Sequence, residues 1–286
     1  MKQLSPGILE IVEELSPLVR KFASSDYGIA VGGAHAKGVD DTASDLDLYL
    51  FAEEVLTCDN RRRETTDFSS RISHVICWGE DDPFEQGGTD FEYEVGKVEC
   101  WLRHIDVIEG SIAEGLKGIV RCDRVTWTPN GFYNHCALSD VDSMVVIDDP
   151  TGMLAHWKAA IAVYPSRLRG RIISTHLDAA RFWPANFHYD SAIQRQDVIY
   201  TTSIVQQVLH NLVQVLFAVN EVYFPGDKKM DGALARLDRL PVRLAERMRG
   251  LIWPGEAASV AVLKGQQADL QALLAETESL VEATPI

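Results

Sequence analysis

The chain has 286 residues, of which 46% are apolar and 24% charged, and its 27 Lys and Arg stand against 42 Asp and Glu for a formal net charge of −15. That is the composition of an ordinary soluble globular protein, long enough for two modest domains or one large one, and no run of about 18 apolar residues marks a membrane span. The acidic balance disfavours a nucleic-acid partner, whose affinity would be carried by Lys and Arg, and is compatible with a cationic small molecule.

In chain order, residues 6–23 predict a helix. Ser5 supplies the N-cap and Pro6 the first turn, and Ile8, Leu9, Ile11, Val12, Leu15, Val19 and Phe22 recur at helical spacing. Glu10, Glu13 and Glu14 make this start unlike a signal peptide, which points to the cytoplasm. A strand at 29–31, a Gly32-Gly33 turn and a second strand at 46–51 come next. Arg61, Arg62 and Arg63 follow Asn60 and read as a solvated helix start, with phosphate contact as the alternative. A short strand is expected at 74–78, and an acidic, glycine-rich loop at 79–89. A hairpin then pairs 90–95 with 98–104 around Gly96-Lys97. Its alternation puts Val98, Cys100 and Leu102 on one face and Glu99, Trp101 and Arg103 on the other. A helix at 106–116 and a last strand at 143–147 lead to Asp149-Pro150, where a domain boundary is expected.

Beyond that point the character becomes helical. Residues 153–164, 167–182 and 197–222 have helical periodicity, and the last of these is the longest apolar helix in the chain. Ile204, Val208, Leu212 and Leu216 form one row and Val205, Leu209 and Val213 the next, a stripe wide enough for the middle of a bundle. Tyr223-Phe-Pro-Gly226 ends it, and three further helices run to about Glu282. The five cysteines are odd in number and lack Cys-x-x-Cys spacing, so they read as free thiols of a reducing compartment. The eight histidines contain no His-x-x-x-His pair, and His35 in the glycine turn reads as a loop histidine, with approach to a phosphate as the alternative.

The strongest chemical signal is Asp45 and Asp47 at the entrance of the second strand. Side chains two apart on a strand share a face, so two carboxylates stand together ahead of a buried apolar run. Such a pair repels itself unless a cation intervenes, and hard divalent ions such as Mg²⁺ suit oxygen ligands. The chemistry this suggests is metal-assisted phosphoryl or nucleotidyl transfer. The plain alternative is a tight turn and a solvated edge strand, and a weaker rival is the Asp-x-Asp site of sugar-nucleotide glycosyltransferases.

Gly32-Gly33, eleven residues and then Asp45-Leu46-Asp47 resemble the polymerase-beta-like nucleotidyltransferase superfamily, and within it the aminoglycoside- and lincosamide-type enzymes. The resemblance covers about 25 residues, with a weaker likeness out to Asp149. It implies a mixed-sheet α/β (α+β) nucleotidyltransferase-like domain at 1–150. An all-α helical bundle at 151–286 would follow, with the active site in a cleft between the two. It also implies that Gly32 and Gly33 cradle a nucleoside triphosphate, with the Ser44 hydroxyl near the phosphates because the family's Ser after the first Gly is Gly33 here.

Asp45 and Asp47 would hold Mg²⁺, with two ions expected, and a third carboxylate comes from a later strand. Glu99 is the choice for that carboxylate, as metal ligand, as base toward the acceptor hydroxyl, or as both, with Asp90, Glu92 and Glu94 as substitutes. In the helical part, Lys228 or Lys229 is expected to contact the β- and γ-phosphates, and Arg195 and Asp197 are further cleft candidates. The implied reaction moves a nucleoside monophosphate, AMP by expectation, from ATP or another NTP to a hydroxyl of a small molecule such as an antibiotic. The same chemistry on a protein or tRNA acceptor, or an idle nucleotide-binding module, are the alternatives. Acceptor, nucleotide base and oligomeric state leave no signature.

Overall fold

Ser5 accepts a hydrogen bond from the Ile8 N–H and Pro6 opens the first turn, so the computed structural model begins with α1 (Pro6–Lys21) where the sequence places it. Residues 4–79, 87–125, 128–255 and 257–284 are described; 80–86, most of the loop expected at 79–89, lie outside them. After α1 come β1 (Tyr27–Val31), the short α2 (Gly33–Lys37), β2 (Leu46–Ala52) and α3 (Cys58–Phe68). They are followed by β3 (Ser73–Trp78), β4 (Gly87–Tyr93), β5 (Gly96–His104), α4 (Ile105–Lys117), β6 (Cys122–Asp123) and β7 (Phe132–Tyr133). The chain continues through α5 (Asn134–Ser143), β8 (Val145–Asp148), α6 (Met153–Ala160), α7 (Ser166–Phe182) and α8 (Phe187–Gln194). It ends in α9 (Val198–Val219), α10 (Met230–Leu234), α11 (Leu244–Ile252) and α12 (Val260–Glu282).

Six strands form one mixed sheet in the order β3-β4-β5-β2-β1-β8. Only the central β2–β5 pair is parallel, and the other neighbours run antiparallel. On one face Leu46, Leu48 and Leu50 of β2 pack with Val98, Cys100 and Leu102 of β5 and with Val12, Leu15, Val19 and Phe22 of α1. This is the core that the amphipathic pattern of α1 serves. On the opposite face α6 covers the C-terminal end of β2. Leu154 lies over Gly28, where a Cβ would collide with it, and Trp157 meets the Phe51 ring edge-on at 5.3 Å. The N-terminal ends of β2 and β5 on that same face carry charged residues instead.

The chain divides into two compact units, Met1–Ala113 with Ala137–Val163 and Glu114–Cys136 with Tyr164–Ile286. The first therefore continues past Pro150, because Leu154 and Trp157 of α6 are part of its interior. The second is helical apart from the short β6–β7 ribbon. Its centre is α9, where every residue from Asn211 to Val219 is buried, with α7, α8, α11 and α12 packed against it. By length and composition α9 could cross a membrane, yet most of it is interior to this unit.

Three local expectations are corrected. Arg61 is fully buried rather than solvated: its guanidinium donates to Leu56 O at 3.0 Å, Gly88 O at 2.7 Å and Thr89 Oγ1 at 2.9 Å, tying α3 to β4. The hairpin turns at Glu94-Val95, since Tyr93 pairs with Gly96 and β5 already includes Gly96 and Lys97. The helices α5 and α8 were not anticipated, α5 because its polar sequence shows no clear apolar period and α8 because it is short.

Candidate active site

At the end of β1 the backbone makes two tight contacts with β2. The Gly32 N–H donates to Asp47 O at 2.9 Å, and the Gly33 N–H donates to Tyr49 Oη at 3.3 Å. A Cβ on Gly32 would fall on the Tyr49 ring, and one on Gly33 would fall on the Asp47 carboxylate. Gly33 also has φ +56°, a conformation that side chains disfavour. Both glycines are thus required by the close approach of the turn to Asp47 and Tyr49.

Across the sheet, Asp47 of β2 is the register partner of Glu99 on β5, and Glu99 is in turn the partner of Asp90 on β4. Laterally paired residues project to the same face, so three carboxylates from three strands stand in one row. Burial first, and then the negative charges of Glu99, Asp140 and Asp45, push the Asp47 carboxyl up to about 6. Burial also raises Asp90, whose Oδ1 accepts from Trp78 Nε1 at 3.3 Å. Lys97, two residues before Glu99, donates to Glu99 Oε1 and lies 3.7 Å from Asp90 Oδ2. Trp78 and Trp101 meet edge-to-face at 5.1 Å beside the row.

Behind Asp47 lies a second set of charges. Arg103 of β5 is buried, its Nη1 donates to Asp140 Oδ2 on α5 at 2.9 Å, and its guanidinium stacks 5.2 Å from the Tyr49 ring centre. Lys37, at the end of α2, donates to Asp140 Oδ1 at 3.5 Å and is the positive charge that works against the upward shift of Asp47. Arg103 thereby fixes Tyr49, and Tyr49 holds the Gly33 N–H.

The expected site residues fall as follows. Gly32, Gly33, Asp47 and Glu99 come together, and Asp45, immediately before β2, acts on Asp47 through its charge. The Ser44 hydroxyl donates to Asp41 Oδ1 at 3.0 Å and accepts from the Asp41 N–H at 2.9 Å, closing the turn ahead of Asp45. His35 Nδ1 is 3.5 Å from Asp40 Oδ2. Lys228 is exposed in the helical unit, ahead of α10, and Asp197 caps α9 by accepting from the Tyr200 N–H. Of the substitutes for Glu99, Asp90 joins the row, while Glu92 pairs with His74 and Glu94 with Arg71.

Sequence reading missed Lys37, Tyr49, Arg103 and Asp140. Arg103 was legible as a same-face neighbour of Glu99, whereas Asp140 reaches the site from a helix with no local signal. The donor set fits a hard divalent cation, being all carboxylate oxygen around a buried, mutually repelled Asp47. Among the described residues no three His, Cys, Asp or Glu side chains are gathered to hold one ion. Glu99 is turned to Lys97, and Asp140 is taken by Arg103 and Lys37.

A mixed sheet whose strand ends carry a glycine turn beside a row of carboxylates defines the class of fold and site. Comparison with known proteins adds three findings. A domain of unknown function (DUF4037) matches residues 133–230. A nucleotidyltransferase-like protein from Exiguobacterium sibiricum is similar in structure at 13% identity and a TM-score of 0.44, with 94% of this chain and 75% of that one covered. No curated protein matches the sequence. At that identity and TM-score the structural likeness carries neither a reaction nor an acceptor, so the functional reading rests on the residues.

Proposed function

We propose that the protein is a Mg²⁺-dependent nucleotidyltransferase that moves a nucleoside monophosphate, AMP first among them, from the triphosphate to a hydroxyl of a small molecule. The observation that carries this reading is the lateral row Asp47, Glu99 and Asp90 beside a Gly32-Gly33 turn that leaves no room for any side chain. In the reaction the acceptor oxygen bonds to the α-phosphorus, the bond from that phosphorus to the β-phosphate bridging oxygen breaks, and pyrophosphate leaves. Glu99 takes the proton of the attacking hydroxyl. Gly32 and Gly33 let the backbone approach the triphosphate, with Lys37 as the nearby positive charge. Asp45, Asp47 and Glu99 would hold Mg²⁺, which when bound supplies neutralisation of charge on the phosphoryl oxygens.

The net charge of −15 supports a cationic, hydroxyl-bearing acceptor such as an antibiotic over a nucleic acid. The test is incubation with α-labelled NTPs and Mg²⁺ against a panel of hydroxyl-bearing small molecules, scored for label transfer and pyrophosphate release. Label on a small molecule with stoichiometric pyrophosphate supports the reading. Label only on protein or tRNA would move the acceptor to a macromolecule, and hydrolysis or no release with every NTP would sink it.

A further inference from the structure

Lys97 has no role in the reaction just described, yet its ammonium stands among the residues that reaction needs. It precedes Glu99 by two positions on β5, so both side chains leave the same face of the sheet. Its Nζ donates to Glu99 Oε1 and lies 3.7 Å from Asp90 Oδ2, and Asp90 is the register partner of Glu99. The Lys97 ammonium thus stands between the carboxylates of Glu99 and Asp90. An ammonium placed there relieves the repulsion between neighbouring carboxylates, as a bound cation would. It also occupies the oxygen of Glu99 that a metal would need.

We propose that Lys97 is a built-in counter-ion that competes with the divalent cation for Glu99 and so sets the metal affinity of the site. The inference rests on the metal-dependent reading above. Three features favour competition over a fixed structural bridge. The lysine side chain is 46% exposed, so its ammonium can swing into water as a metal takes its place at Glu99. It is a compact charge on a flexible stem, held by one hydrogen bond rather than a bidentate fork. And its partner Glu99, at 19% exposure, is the register neighbour of Asp47, so a cation between the two strands would meet both carboxylates. In the absence of metal Lys97 keeps Glu99 and Asp90 together. On metal binding it yields Glu99.

The test is Mn²⁺ binding to the full chain without nucleotide, followed by calorimetry and by loss of the free-ion paramagnetic signal. Lys97→Met keeps the apolar stem and removes the charge, and Lys97→Arg keeps the charge with a firmer grip. Lys97→Met should bind Mn²⁺ about fivefold tighter or more, the factor equivalent to an exposed ion pair of about 1 kcal/mol. Lys97→Arg should bind no tighter than the wild type. Mn²⁺ should also raise the melting temperature of Lys97→Met by more than that of the wild type, a readout that survives if the variant starts less stable. Equal or weaker Mn²⁺ binding by Lys97→Met overturns the inference while leaving the metal-dependent reading intact. Absence of Mn²⁺ binding in all three proteins overturns both.

Discussion

Gly33 at the turn and Asp47 on β2 are in close contact, and each yields a test. Gly33 has φ +56° and its missing Cβ leaves room for the Asp47 carboxylate, whereas Gly38, at φ +64°, has open space around it. Gly38→Ala should therefore cost about 1 kcal/mol of backbone strain, and Gly33→Ala about 2–3 kcal/mol because strain and collision add. Urea unfolding of the two variants checks the difference, and equal losses would mean that the Asp47 contact is soft. Asp47 is held at about 6 against an ordinary 3.8, so the folded state disfavours its ionised form. A group raised in this way stabilises the fold when protonated and weighs against it once pH passes its folded value. In chelator at neutral pH, Asp47→Asn should therefore melt at a higher temperature than the wild type, by a free energy on the order of 1–3 kcal/mol. A lower melting temperature would show that the charge is compensated in the fold.

Among elements, α3 and the helices around α9 hold buried polar groups that make separate predictions. Arg61 ties α3 to β4 through Gly88 O and Thr89 Oγ1, and Arg61→Met should remove both of these buried bonds, at about 2–4 kcal/mol by denaturant unfolding. In the helical unit, His135 on α5, His176 on α7 and His210 on α9 surround the Tyr133 ring at centroid distances of 5.1, 5.4 and 5.6 Å. Their partners are Gln214, Asn211 and Tyr133, with Asp227 Oδ1 3.6 Å from His210. Burial lowers all three, His135 and His176 to about 4 from 6.5. An unfolded chain takes up these protons near 6.5, whereas the folded chain refuses them until about 4. The stability they confer is therefore complete above the unfolded value and lost as pH falls toward the folded one. The melting temperature should drop steeply through that window, and His176→Gln should flatten the drop. An unchanged slope in the variant would assign the acid sensitivity to other groups.

At the scale of the whole molecule, the pieces encoded locally were the legible ones. The Ser5-Pro6 start of α1, the apolar run of β2, the alternation on β5 and the length of α9 all follow from periodicity and caps, and each appears in the structure. The helical character after Gly152 follows from the same signals, whereas the mixed sheet is what the resemblance implied. Lateral register is different in kind. That Asp47, Glu99 and Asp90 align depends on how three strands pair between Asp47 and Glu99, a stretch of 53 residues, which no local pattern records. The roles of Asp140 and Arg61 were hidden for the same reason, since each acts through a partner distant in sequence. The division into units was also obscured, because Trp157 packs on Phe51 after the Pro150 break has suggested an end.

The central claim is that Asp47 and its row perform the transfer. Its most direct test is the rate of pyrophosphate release from NTP and Mg²⁺ in the presence of an acceptor that takes up label, with nucleotide affinity measured alongside, in the wild type and Asp47→Asn. In the proposed transfer, charge at this site would act chiefly on the transition state, so the variant should lose about a hundredfold or more in rate while its nucleotide affinity changes far less. An Asp47→Asn protein that turns over at the wild-type rate would contradict the account.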